Sequence, residues 1–142
     1  MKTIGKNEHR LLVLWAVECA EHVLPDFENK HPGDDRPRKA LETVHRWVNG
    51  ESKTSEVRKV AFASHAAARD ATSPGAIAAA RSAGHAAATA HAPGHAIHAA
   101  SYAVKASGDP MAEREWQLHK LPENIKPVYF SLMLKHDDRN SN

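Results

Sequence analysis

Eight charged or imidazole side chains interrupt an alanine-rich stretch between Ser64 and Tyr102: His65, Arg69, Asp70, Arg81, His85, His91, His95 and His98. Alanine lets helices approach closely but buries little surface, so these side chains carry most of the chemistry the stretch can do. Histidine donates, accepts and ligates near neutral pH. Arginine holds carboxylates and phosphates through a planar fork. His65 and Arg69 are four residues apart, as are Arg81 and His85, so on helices each pair offers a base and a fixed cation on one face. The two pairs on neighbouring helices would line an anion or small-ligand pocket. In the alternative, Arg69 pairs with Asp70 or Glu56, and Arg81 with an acid on the second helix.

His91, His95 and His98 follow i, i+4, i+7 spacing, within about 60° of one helix face. Three imidazoles on one stripe could ligate zinc or nickel. One straight helix seldom aims three ligands at one ion, no HExxH is present, and Pro93 falls inside the triplet and alters the aim. The competing reading is a set of histidines hydrogen-bonded between packed alanine helices.

A third constellation joins Glu21 and His22 with Asp35, Arg36 and Arg38. Asp35 is explained by helix capping alone. Arg36 and Arg38 cannot be buried without partners, so they face solvent or pair with Glu18, Glu21 or Asp26, and at least one inter-helix ion pair is expected. With Asp35 they complete the anion-binding candidates His65, Arg69, Arg81 and His85. The chain has no phosphate loop, nucleophile elbow, nucleotide fingerprint or CxxC. Cys19, its single cysteine, sits in an apolar helical pattern as a buried thiol and excludes an internal disulfide.

The elements that must position these residues are helical throughout. Apolar residues from Leu11 to Leu24 recur at steps of three and four, giving a helix over 8–24 that Pro25 ends or kinks. Asp34 or Asp35 caps a second helix with Pro37 in its first turn, and Asn49-Gly50 stops it. Thr54 or Ser55 caps a third. Ser73-Pro74 starts a fourth that runs to about 90. Pro93 kinks the chain or begins a fifth, which reaches about 106. Asp109-Pro110 starts a sixth through Leu121, and a last helix spans about 123–135. The expected fold is all-α: a single-domain bundle of six to seven helices with closely packed alanine-rich central helices. Residues 1–7 are expected to be flexible, 8–136 to form the domain and 137–142 to be disordered. The recurring AAARDA and AAARSA strings keep no fixed period and do not make a solenoid.

At 142 residues the chain has the length of one domain, with Trp15, Trp47 and Trp116 as its large anchors. A net charge of +2, with no basic run interleaved with aromatics, argues against a nucleic-acid partner. The absence of a signal core or a long apolar window argues against a membrane and for a cytoplasmic protein. Alanine-rich faces could also pack between two copies as a homo-oligomer.

Four strings, CAEHVLPDFE, DDRPRKALE, FASHAAARDA and AGHAAATAHAPGHAIHAASYAVKA, resemble the bacterial Imm-5-like group of immunity proteins, in the same order and across roughly residues 10–125. The resemblance implies an all-α cytoplasmic protein that binds and neutralises a cognate toxin. It brings no cofactor and no assigned site residues. The competing expectation, from the residues themselves, is a helical ligand- or anion-binding protein or enzyme built on a His/Arg seam, with a divalent metal such as zinc or nickel as an optional occupant.

Overall fold

The computed structural model describes residues 4–140, with side chains through Asp137. Seven α-helices follow one another: α1 (Lys6–Glu28), α2 (Arg36–Val48), α3 (Thr54–Asp70), α4 (Pro74–Ala88), α5 (His95–Ala106), α6 (Pro110–Lys120) and α7 (Lys126–Asn140). A 3-10 turn, Glu123–Ile125, leads into α7, and there is no strand among the described residues. The fold is the all-α single-domain bundle that the apolar periodicity predicts.

Local chemistry sets most boundaries. Ser73 accepts from the Ala76 N–H and Pro74 takes the first helical position of α4, where a missing N–H costs nothing. Asp109 and Pro110 repeat the device at α6, with Asp109 accepting from Ala112. At the start of α2, Asp34 receives the Arg36 N–H, while Asp35 holds the cap position without a side-chain cap bond. Gly50, at φ 78°, closes the exit from α2 in the left-handed region that glycine tolerates. Helix α3 starts at Thr54 itself, one residue after its N-cap Lys53.

Three boundaries differ from the sequence expectation. Helix α1 runs through Pro25 to Glu28; Pro25 is exposed, so the carbonyl it leaves without a partner faces water, where a proline is tolerated. Helix α4 ends at Ala88, and a turn through Pro93 precedes α5, which puts His91 outside that helix. Helix α7 continues through Asn140, over most of the tail expected to be disordered; residues 1–3, 141 and 142 lie outside the described residues.

Helix α4 is central and packs against α1, α2, α3 and α5. Its buried face is almost entirely Ala76, Ala79, Ala80, Ala83, Ala86 and Ala87. Alanine has the best helix propensity and loses no rotamer freedom, which suits a helix surrounded on several sides. The small side chains bring neighbouring backbones close enough for hydroxyls to bridge them. Ser64 of α3 donates to the Ala80 carbonyl at 2.8 Å, and Ser82 of α4 donates to Ala99 of α5 at 2.7 Å. Larger side chains fill the far side of α1, where Trp15, Leu12, Phe27 and Ile125 are fully buried and Trp15 meets Tyr129 of α7 edge-on at 5.4 Å. Gln117 ties this layer together: its amide donates to Ala100, and its carbonyl accepts from the Trp15 indole. Trp47 and Trp116 are only half-buried.

Candidate functional site: a histidine seam between three helices

Helices α3, α4 and α5 bring His65, Arg81, His85, His95 and His98 together. The Arg81 guanidinium donates to His65 Nδ1 at 2.8 Å. An arginine can only donate, so His65 accepts at Nδ1 and carries its proton on Nε2 as a neutral ring. The His65 ring lies against Gly84, where a Cβ would come within 2.7 Å of Nε2. Glycine at that point of α4 makes the room the imidazole occupies. His65 then meets His85 edge-on, with 4.8 Å between ring centroids.

His85 is the hub. Its Nδ1 lies 2.9 Å from Nδ1 of His95, so one nitrogen donates and the other accepts, and a single proton lies between two neutral rings. The rings of His98 at 5.0 Å and Tyr102 at 5.4 Å complete its surroundings, and Tyr102 stacks almost parallel to it. Burial is the main force holding these rings neutral. It pushes the His65 pKa down to about 4, helped by Arg81, and the His85 pKa down to about 3, helped by His65 and His95. His95 is lowered by burial and then by His98 and His91. His91 is lowered by burial and by Arg58.

The sequence candidates therefore separate into groups. His65, Arg81, His85 and His95 share one hydrogen-bonded and stacked set. Arg69 is exposed and reaches His65 only as a like charge. The salt-bridge alternatives for both arginines are not the contacts formed: Asp70 accepts from Arg36 at 3.0 Å, and Arg81 meets a histidine. Asp35, Arg36 and Arg38 belong to a separate surface network. Arg36 bridges Asp34 and Asp70, Arg38 binds Glu28 of α1 in a two-pronged contact, and Asp35 faces Lys39 at 3.7 Å. The expected link from this helix start to α1 exists, through Glu28 rather than Glu18, Glu21 or Asp26.

His91, His95 and His98 do not form a single helical stripe, because Pro93 places His91 in the turn before α5. Ring centroids are 6.4 Å apart for His91–His95 and 6.1 Å for His95–His98. No three His, Cys, Asp or Glu side chains among the described residues are arranged to hold a metal ion.

Sequence spacing missed two features. His22 donates from Nδ1 to the buried Glu113 of α6 at 2.8 Å and stacks on Trp116 at 3.7 Å. This is an imidazole oriented by a carboxylate, the geometry that prepares a general base. Cys19, three residues earlier, does not serve it as a nucleophile: it is fully buried, and burial, with Glu113 nearby, pushes its thiol well above the ordinary range. The second missed feature is His136 of α7, whose ring lies 5.1 Å from His98. Both pairs join residues far apart in the chain, so no local pattern announces them.

The described residues thus form an all-α bundle with an alanine-rich central helix and a histidine seam between α3, α4 and α5. A family model described as Imm-5 like putative immunity protein matches residues 2–124. The chain belongs to that family. No curated protein and no solved structure matches the chain. No helix among the described residues is long and apolar enough to cross a membrane.

Proposed function

We propose that this chain acts by binding a toxin protein and blocking it. The observation that carries this reading is family membership across residues 2–124. The surface is consistent with it. An open groove of about 680 Å³ runs between α2 and α3, lined by Lys39, Glu42, His45, Arg46, Glu56 and Lys59 among others. Mixed charges of this kind can set partner choice and association rate where a partner carries the complementary pattern. Phe62, 67% exposed, stands one helical turn beyond Lys59 on α3. An aromatic anchor bordered by charged groups is a common centre of binding energy in protein interfaces.

Co-expression with a candidate toxin, sought first among neighbouring genes, tests the reading. The intact chain should restore growth and co-purify with the toxin. Phe62→Ala and Lys59→Glu should each weaken the complex by about tenfold or more, the scale of a central interface contact, with unchanged thermal unfolding because both side chains are exposed. Failure of both rescue and complex formation removes the proposal. Rescue that survives both substitutions moves the interface away from the groove.

A further inference from the structure

Five large apolar side chains stand exposed among the described residues: Phe62, Met111, Leu118, Phe130 and Leu134. Four of them lie on α6 and α7, apart from the α2–α3 groove, none of whose lining residues belongs to either helix. Helix α7 sets the pattern. Its inner face gives Tyr129 to the core, edge-on to Trp15, with Val128, Leu132 and Met133 packed beside it. Pro127, Phe130, Leu134 and Asp137 occupy a second face, and all four are exposed, Phe130 by 56% and Leu134 by 66%. We propose that this outer face of α7 is a dimer interface, on which a second copy of the chain lays its own α7 antiparallel about a two-fold axis.

Spacing is the first support. Positions 127, 130, 134 and 137 are separated by three, four and three residues, the steps of a coiled-coil seam. The bundle already supplies the neighbour for the inner face of α7, so this second seam points away from the core. Exposed apolar side chains scattered singly are ordinary, whereas those gathered on one stripe mark an interaction surface. The alanines of α4 are buried within one chain, so they do not compete as a self-association face.

Symmetry and charge choose the occupant. A two-fold interface has to be complementary to itself. With the axis passing residue 132, Phe130 lies opposite the partner's Leu134, and the same contact repeats on the other side of the axis. Asp137 then lies opposite the partner's Pro127 and next to the partner's Lys126, so a carboxylate meets an ammonium at each end of the apolar centre. A parallel alignment would set Asp137 against Asp137 and Lys126 against Lys126, and like charges so placed are costly. Lys126 also contacts Glu123 of its own chain at 2.7 Å, but Glu123 is 88% exposed, and a surface pair of this kind contributes little. Asp137 is 69% exposed, with the His136 ring nitrogen 3.8 Å away. An unrelated partner would need neither the self-matching spacing nor opposite charges at the two ends. This dimer leaves the α2–α3 groove uncovered and does not depend on the toxin-binding reading.

The test is sedimentation of the full-length chain alone at about 10 to 1,000 µM, the range in which an interface below the standard size dissociates. The mass should climb from 15.6 kDa toward twice that value as concentration rises. Leu134→Lys should weaken the dimer about tenfold or more. Position 134 is exposed, so thermal unfolding of this variant at low concentration should match the parent chain; if it does not, Phe130→Gln takes its place. Charge reversal reads the alignment: Lys126→Asp and Asp137→Lys should each weaken the dimer, and the two together should restore it. A mass of 15.6 kDa at every concentration overturns the proposal, even where a toxin is later found to cover the α7 face. So does a dimer that both Leu134→Lys and Phe130→Gln leave intact. A dimer indifferent to both charge reversals overturns the antiparallel arrangement.

Discussion

Burial holds His65, His85 and His95 in their neutral forms, and this fixes the sign of the protein's response to acid. His65 and His85 have folded-state pKa values of about 4 and about 3, below the ordinary value near 6.5. Between those limits the unfolded chain binds more protons than the native one, so stability rises with pH. The native seam is therefore at full strength above about pH 6.5 and is progressively lost as the pH falls toward 4 and then 3. Each histidine contributes a slope of at most about 1.4 kcal/mol per pH unit, reduced by solvent because the rings are only half-buried. Urea midpoints should stay level from about pH 7.5 to about 6.5 and fall from there to about pH 4, and His85→Gln should flatten that fall. A midpoint that is level across the range would contradict the neutral seam.

At the scale of elements, α3 and α4 can lie close together only because position 84 carries no side chain. Gly84→Ala gains about 1 kcal/mol of helix propensity but drives a methyl into the His65 ring, and overpacking of this kind costs about 1–3 kcal/mol. The expected outcome in denaturant titration is a net loss of about 1 kcal/mol. In a His65→Ala background the same substitution should become neutral or stabilising, and a penalty that persists there would place the clash elsewhere. The capping pairs Ser73-Pro74 and Asp109-Pro110 were legible in the sequence because their chemistry is local. So were His65 beside Arg69 and Arg81 beside His85, but spacing could not say which arginine turns inward, since that depends on the neighbouring helix. Arg81 faces α3 and meets His65; Arg69, at the end of its own helix, stays in water. The pairing of His22 with Glu113, 91 residues away, leaves no periodic trace, and neither does the approach of α7 to α5. Pro25 does not end α1, one of the two outcomes its chemistry allows, because it stands at an exposed position of the helix.

Taken as a whole molecule, the bundle concentrates its contacts on one helix. Helix α4 touches four others, so it cannot leave without opening the seam, the hydroxyl bridges and the α1 interface together. Unfolding should accordingly be a single transition, with no stage in which the alanine core is lost and the Trp15 layer survives. Cys19 offers a way to observe this. Its side chain, on α1 with Glu113 and Arg114 of α6 nearby, is fully buried, burial holds its thiol protonated, and it is the only cysteine in the chain. A thiol in that state does not react from the native fold, so its modification becomes a clock for opening. Labelling by a thiol reagent should proceed at a rate set by the fraction of molecules open at any instant, and the free energy derived from it should equal that from denaturant. Labelling much faster than this would reveal local release of α6 from α1. The unreactive sulfur thus serves as a built-in stopwatch for the bundle, readable without engineering any new residue into the chain.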